Sequence, residues 1–315
     1  MPIEGIKVVD ATLRDGGLVN DFFFDDNFVR ALYQANIVAG VDYMEFGYRA
    51  SKEQFDQSKF GKWKFTTDAD ILNVIGEKDS RIKIAVMADV GRIDYKKDIA
   101  PRKDSPVDLF RVATYIETIP EAIEMINYIS ALGYETSCNI MAISKCTEKQ
   151  IAEALYAVAQ SSANAVYVVD SNGSMLPKQI RKLTRLYHKI LSPSGKEIGI
   201  HAHNNMQCAF ANTIESKETG AKWLDATVFG MGRGAGNCHS EALLGFLNGK
   251  KYDVEPILKL VSEWMLPMKD SGIDWGYNTS YLLTGLTNQH PRTAIAASKN
   301  QDTNYTEQFK FLSYQ

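Results

Sequence analysis

The stretch YETSCNIMAISKCTEKQIAEALYAVAQSSANAVYVVDS, residues 134–171, alternates between two patterns. Its ends, 134–143 and 164–171, are short runs rich in β-branched and apolar residues, which is typical of buried strands. Between them, residues 147–162 place apolar side chains at helical spacing, and Thr147 is a residue type that often caps a helix. A strand, a helix and a second strand in this order predict a parallel sheet.

The same alternation continues in both directions along the chain. Helical patterns cover residues 26–40, with Asp26 as the predicted N-cap, and residues 119–133. Six further strands are predicted, at residues 6–12, 41–48, 83–90, 107–115, 197–204 and 222–230. Eight strand and helix units suit a closed TIM barrel, whereas an open doubly wound sheet shares the alternation but not the strand count. We therefore predict an α/β fold, a (β/α)8 TIM barrel, over residues 1–250.

Beyond residue 250 the pattern becomes helical. Residues 254–268 read as one helix, and residues 275–299 as helices interrupted by a proline. The final stretch, 302–315, carries Phe and Tyr side chains, which we expect to pack against a neighbouring surface. The sequence thus predicts a helical C-terminal extension over residues 251–315.

Composition excludes several classes of protein. The chain has 315 residues, 35 basic against 38 acidic, so no strong field favours nucleic acid or an acidic membrane surface. No apolar run approaches the roughly 20 residues of a membrane span, and the start lacks the pattern of a signal peptide. The 4 cysteines form no C-x-x-C pair, which argues against disulfides and thiolate zinc sites. We expect a cytoplasmic protein with neither a nucleic-acid nor a membrane partner.

Two histidines stand at the end of the seventh predicted strand. His201 and His203 are two residues apart, so the period of a strand places both imidazoles on one face. In TIM barrels this end of the strands carries the active site. A metal site and a pair of packed histidines without metal both remain open on this evidence.

Arg14 and Asp15 follow the first predicted strand and precede a Gly-Gly turn. Inward residues of alternate strands share a layer in this barrel, so Asp15 can reach the histidines after strand seven. Two imidazoles and a carboxylate suit a divalent metal with open positions. Arg14 could stabilise negative charge on a substrate oxygen, although a surface ion pair or a helix cap is the alternative.

Glu45 is a carboxylate inside the apolar second strand. Burial of an isolated carboxylate is costly, so Arg14 is its predicted partner unless Glu45 faces outward. Such a contact would orient the guanidinium.

The segment GMGRGAGN, residues 230–237, resembles a dinucleotide-binding turn, but no convincing strand follows it. Its glycines are better explained by tight turns at the barrel mouth. Asn237 could be a further metal ligand or a helix N-cap. Three other side chains near strand ends, Arg111, Thr114 and Ser171, could contact a substrate carboxylate; a turn hydroxyl, or a barrel ion pair for Arg111, is the alternative.

Six motifs occur in order along residues 11–237: ATLRDGG, MEFG, FRVAT, VVDSNGSM, HAHNN and GMGRGAGN. Together they resemble the DRE-TIM metallolyases, the HMG-CoA lyase-like family, whose Asp, Arg and Glu are matched by Asp15, Arg14 and Glu45. Within that family the motifs are most similar to those of 4-hydroxy-2-oxovalerate aldolases.

The resemblance implies a divalent-metal-dependent lyase that cleaves or forms a carbon–carbon bond next to a small 2-oxo acid, through a pyruvate-like enolate. Arg14 would stabilise the enolate and Ser171 would contact the substrate. Mn2+, Mg2+ or Zn2+ would be bound by, or near, four residues: Asp15, His201, His203 and Asn237. An aldehyde dehydrogenase is an implied partner, and we expect a homo-oligomer.

In those aldolases we expect a histidine shortly after the Arg-Asp-Gly, where it serves as the catalytic base. This chain has Leu18 there instead. Because a leucine cannot move a proton, another group must act, and His290, Tyr277 and Tyr281 are the candidates. Tyr277 is also a candidate substrate contact. Two alternatives stay open: a Claisen-type acyl-CoA condensing synthase like isopropylmalate or homocitrate synthase, and a metal-binding barrel with altered chemistry.

Overall fold

The computed structural model describes residues 5–300 and 302–314 and contains a closed barrel of eight parallel strands. The strands are β1 Lys7–Asp10, β2 Tyr43–Tyr48, β3 Lys83–Asp89, β4 Leu109–Thr114, β5 Glu135–Ile140, β6 Ala165–Asp170, β7 Glu197–Ala202 and β8 Trp223–Ala226. Strand β1 pairs with both β2 and β8, which closes the sheet and leaves no edge. The predicted TIM barrel is confirmed, and every strand lies within its predicted range.

Helices surround the barrel and continue after it. In chain order the α-helices are α1 Thr12–Gly16, α2 Asp26–Ala39, α3 Asp68–Ile75, α4 Tyr95–Asp98, α5 Ile119–Ala131, α6 Glu148–Ala159, α7 Pro177–Leu191, α8 Ala209–Glu218, α9 Ser240–Leu247, α10 Glu255–Leu260, α11 Leu266–Asp270, α12 Thr279–Leu286, α13 Arg292–Lys299 and α14 Tyr305–Ser313. A π-helical turn, Val261–Met265, joins α10 to α11. No helix among the described residues combines the length and the apolar character that a bilayer crossing requires.

Helix caps test the predicted boundaries. Thr147 caps α6 as predicted, in a capping box completed by Gln150. The predicted cap of α2 is wrong by one residue, because the extended backbone and the side-chain bond to the N–H of Asn27 belong to Asp25. Asp26 lies instead in the first helical turn, where its negative charge interacts favourably with the helix dipole.

The barrel interior consists of an apolar layer below a charged layer. Side chains alternate in and out along each strand, and inward apolar ones form a separate cluster: Val9, Tyr43, Ala85, Leu109, Ala165, Tyr167, Val169 and Trp223. Val169 is level with His201 near the carboxyl end of β6, and the others lie nearer the amino ends of the strands. Toward the carboxyl ends the inward residues Glu45, Arg111, His201 and Asp225 are buried and polar. The apolar layer closes the bottom of the barrel, so the polar layer opens only toward the mouth.

The helices after the barrel pack against its outer helices and against one another. Helix α10 packs on α2, and α12 contacts both α13 and α14. Of α14 only Leu312 is buried, and Phe311 is 55% exposed, so the expected packing of its aromatic side chains against a neighbouring surface stays a prediction. The division into domains at residue 250 stays a prediction, and its ends at residues 1–4 and 315 lie outside the described residues, as does residue 301.

Replacing Gly199 with alanine should destabilise the barrel. A Cβ at this position would lie 2.6 Å from three ring atoms of the buried Tyr167, so the interior must shift. Overpacking of this kind costs about 1–3 kcal/mol. Gly245→Ala is the control, since nothing lies within 4 Å of its added Cβ in α9, and alanine should stabilise the helix by about 0.5–1 kcal/mol. Urea unfolding of both variants checks this; equal stabilities would contradict it.

Candidate active site

A cavity of about 180 Å³ opens at the carboxyl ends of the strands. Every strand or the loop after it contributes to the lining, and His290 of the C-terminal extension completes the wall. The volume is below the roughly 300–1,000 Å³ of pockets for drug-sized ligands. The cavity therefore suits a small molecule.

Asp15, His201 and His203 converge at the base of this cavity. Asp15 belongs to α1, the single helical turn after β1, while the histidines lie at the end of β7. The Asp15 Oδ2 atom is 3.4 Å from His201 Nε2 and 3.7 Å from His203 Nε2, and all three side chains are buried. One ligand atom from each lies within 4.8 Å of the others. The structure thus brings together the three residues that the sequence singled out.

The protonation states of these side chains suit a cation. Burial lowers the pKa of His203 well below its ordinary value, so the imidazole is neutral and keeps a lone pair. Burial alone would raise the pKa of Asp15, but the charge of the neighbouring Arg14 guanidinium holds that pKa well below its ordinary value. A carboxylate beside a neutral imidazole is a donor set that divalent transition metals prefer.

The surroundings of Asp15 orient it for such a role. The Arg233 backbone N–H donates to Asp15 Oδ1 at 2.9 Å, which leaves Oδ2 facing the histidines. Asn237 is buried nearby, and its Oδ1 has no hydrogen-bond partner among the described residues. A Cβ at Gly232 would lie 2.0 Å from Asn237 Nδ2 and 2.7 Å from Asp15 Oδ1, so only glycine fits between them. The site fits a divalent cation, with Asn237 offering an unpaired oxygen.

Arg14 is held by carboxylates on two sides. Its Nε donates to Glu45 Oε2 at 2.9 Å, and its Nη1 pairs with Asp15. The buried Glu45 accepts a second bond at 2.8 Å from Nη1 of Arg111. The guanidinium of Arg14 therefore has a defined orientation at the cavity wall.

Asp225 is a site residue that the sequence reasoning missed. Its Oδ2 lies 2.5 Å from Arg111 Nη2 and 3.0 Å from Nδ1 of His201. When Asp225 accepts the Nδ1 proton, the Nε2 lone pair of His201 is available to a cation held beside Asp15. The signal that identified Glu45, a carboxylate inside an apolar strand, was present here as well, in KWLDATVFG.

Three predicted substrate contacts do not line the cavity. Arg111 is fully buried and bridges Glu45 and Asp225, so its charge is already used below the cavity floor. The Thr114 hydroxyl bonds to Tyr115 and Thr118 in the turn after β4. Tyr277 is 63% exposed on the outer surface. For Arg111 and Thr114 the structure thus shows the alternatives to a substrate contact, a barrel ion pair and a turn hydroxyl. The expectation for Tyr277 is corrected, because this side chain faces solvent.

Ser171, Leu18 and His290 do line the cavity. The Ser171 Oγ accepts a hydrogen bond from the backbone N–H of Ala142 at 2.8 Å. The Ser171 O–H can therefore donate a hydrogen bond to a ligand in the cavity. Tyr281, the remaining candidate base, is buried in a small cluster with Ala235 and Ala294 rather than in the cavity wall. Of the candidate bases, His290 alone is placed at the cavity.

His290 is close to a cation. Its Nε2 lies 2.9 Å from Nη1 of Arg233, another residue that the sequence reasoning missed. Burial, and then the charge of Arg233, lower the pKa of His290 to about 4. The ring is therefore neutral at pH 7 and keeps one unprotonated nitrogen.

Comparisons with known proteins agree with this geometry. The family model described as HMGL-like matches residues 5–264. The chain is 31% identical to a 4-hydroxy-2-oxovalerate aldolase of Bacillus thuringiensis over 79% of this chain and 72% of that one. An oxaloacetate decarboxylase of Mycobacterium tuberculosis is 28% identical over 76% and 69% of the respective chains. The solved N-terminal domain of a candidate aldolase from Bacteroides vulgatus superposes with a TM-score of 0.77 at 27% identity, covering 93% of this chain and 97% of that one.

Asp225→Asn should weaken metal binding about 10–100-fold, because a neutral amide no longer fixes the His201 tautomer. Calorimetric titration of the metal-free protein with Mn2+ or Zn2+ measures the change. The matched control is Asp108→Asn: that carboxylate pairs with Lys78 and Arg102 near the start of β4, and its loss should leave the affinity unchanged. Unaltered affinity in Asp225→Asn would count against the assigned role.

Proposed function

Because the chain belongs to the HMGL-like family, we propose that it is a divalent-metal-dependent, aldolase-type carbon–carbon lyase acting on a small 2-oxo acid. The observation that carries the proposal is the convergence of Asp15, His201 and His203 beside Arg14 in one small cavity. The names of the two relatives, an aldolase and a decarboxylase, both describe cleavage of a bond one carbon away from the ketone of a 2-oxo acid.

The metal would be held by Asp15, His201 and His203, with Asn237 near or in the coordination shell. Mn2+, Mg2+ and Zn2+ all accept such ligands, and we propose one of these three. When bound, a divalent cation acts as a Lewis acid toward the ketone and carboxylate of the 2-oxo acid.

Arg14 stabilises the negative charge that appears on the ketone oxygen as the bond breaks. Its Nη2 lies 3.4 Å from both ring nitrogens of His201, so this part of the guanidinium is beside the metal ligands. Glu45 positions the guanidinium through Nε, and no reorganisation is needed at the moment of reaction. The Ser171 hydroxyl donates to the substrate.

Proton transfer is assigned to His290. In the cleavage direction the hydroxyl at C4 gives its proton to a base, the C3–C4 electron pair becomes the enolate, and a proton returns to C3. Leu18 cannot take part, whereas the neutral imidazole of His290 lies in the cavity wall. The cavity of about 180 Å³ also favours a small 2-oxo acid over an acyl-CoA condensation partner.

The surface of the extension supports association with other chains. Phe309 is 44% and Phe311 55% exposed on α14, and exposed aromatic side chains are common at interfaces. We propose a homo-oligomer, and an aldehyde dehydrogenase as partner stays a prediction. All four cysteines are free thiols, which supports a reducing compartment such as the cytoplasm.

Wild-type protein supplied with a divalent metal should exchange the methyl hydrogens of pyruvate for deuterium in D2O, as followed by NMR. Arg14→Ala should lower the exchange rate about 10²–10³-fold, the cost of removing one donor to a developing oxyanion. His201→Ala should lose both exchange and bound metal, the latter measured by elemental analysis. A wild type that neither retains nor responds to any divalent ion would overturn the proposed mechanism.

His290→Asn should lower the exchange rate about 10²–10⁴-fold while leaving the metal content unchanged, because it removes the proton acceptor and no metal ligand. Tyr277→Phe is the control, since that side chain lies 63% exposed outside the cavity, and its rate should match the wild type. A full exchange rate in His290→Asn would assign the proton transfer to another group.

A further inference from the structure

We propose that the substrate carries a second anionic group, a carboxylate or a phosphate, at the end remote from the 2-oxo acid, and that Arg233 and Lys145 bind it. The inference rests on the proposed lyase function and adds the class of substrate. Both side chains line the cavity, and neither was identified from the sequence.

Arg233 is a cation that forms no ion pair with a carboxylate of the described residues. Its Nη2 donates to the backbone carbonyl of Ser171 at 2.7 Å, and its Nη1 contacts the uncharged His290. The Nε atom is buried and has no partner among the described residues. No carboxylate within residues 5–300 and 302–314 forms an ion pair with Arg233. Burying a guanidinium without a negatively charged partner costs free energy, and a bound anionic ligand would offset that cost.

The buried charges beneath the cavity can be balanced without the positive charge of Arg233. Arg14 and Arg111 are joined by three buried carboxylates, Asp15, Glu45 and Asp225, so this cluster has one net negative charge. A divalent cation and the single carboxylate of a 2-oxo acid would bring it to neutrality. The positive charges of Arg233 and Lys145 are then left over for a different group of the substrate.

Among the described residues, no buried carboxylate forms an ion pair with Arg233 or Lys145. Asp170, at the end of β6, accepts the backbone N–H groups of Ser174 and Met175 and does not line the cavity.

Lys145 lies at the rim of the cavity, on the loop after β5. Its Nζ donates to Gln289 Oε1 at 3.0 Å, next to His290, and forms no ion pair with any described carboxylate. The planar fork of an arginine and the point charge of a lysine together suit a carboxylate or a phosphate. Both cations stand beside residues 289–290, so the remote end of the substrate would lie under the C-terminal extension.

Two matched substrates test the proposal. Both are 4-hydroxy-2-oxo acids with the same cleavable C3–C4 bond: 4-hydroxy-2-oxovalerate ends in a methyl group and 4-hydroxy-2-oxoglutarate in a carboxylate. Cleavage yields pyruvate and an aldehyde in each case, with the hydroxyl proton balanced by the one gained at C3. A third substrate with a terminal phosphate distinguishes the two anions. Pyruvate release by the metal-loaded enzyme measures kcat/KM for each.

The wild type should prefer one of the anionic substrates to the methyl substrate by at least about tenfold in kcat/KM, which equals about 1.4 kcal/mol. In Arg233→Gln and Lys145→Gln this ratio should fall toward one. The control, Arg292→Gln, removes a nearby arginine that does not line the cavity and should keep the wild-type ratio.

Each result decides a different question. A preference for the carboxylate or for the phosphate supports the inference and names the anion. Equal kcat/KM for all three substrates, or a ratio that survives Arg233→Gln, overturns it, while deuterium exchange into pyruvate would still uphold the lyase. Absence of both exchange and cleavage instead overturns the proposed function itself.

Discussion

The rest of the site depends on the ion pair between Arg14 and Glu45. It joins β2 to the turn after β1, and Glu45 also binds Arg111, which in turn binds Asp225. Removing charges from water is expensive, and each of these groups is stable inside the barrel only because the next one pairs with it. The chain of contacts ends at His201, so the orientation of this proposed metal ligand is linked to Glu45 on a strand across the barrel.

This internal network explains why the barrel is layered. Apolar side chains, including Tyr167 and Trp223, fill the lower interior and exclude water from beneath the charges. The low polarity there strengthens every ion pair above it. Because the network is buried and paired, its side chains keep fixed orientations. Such preorganised charges stabilise the charge that develops during a reaction.

The C-terminal extension completes the cavity. Asn288 Oδ1 accepts hydrogen bonds from Ser144, Asn172 and Ser174, in loops after β5 and β6, and this contact sets His290 in the cavity wall. Leu18 lines the same cavity from the loop after β1. The proposed proton acceptor therefore comes from the extension, outside the ordered motifs of the barrel.

From the sequence alone it was possible to derive the eight strands, the carboxyl-end location of His201 and His203, and the pairing of Arg14 with Glu45. Strand periodicity and the cost of burying a lone charge are local signals, and they are readable along one chain. The partners of Arg111 and Arg233 could not be read from the sequence, because each depends on which elements close around it: Arg111 meets Asp225 across the barrel, and Arg233 meets His290 from the extension. Closure of the barrel brings together residues far apart in the chain, and only the tertiary structure decides those partners.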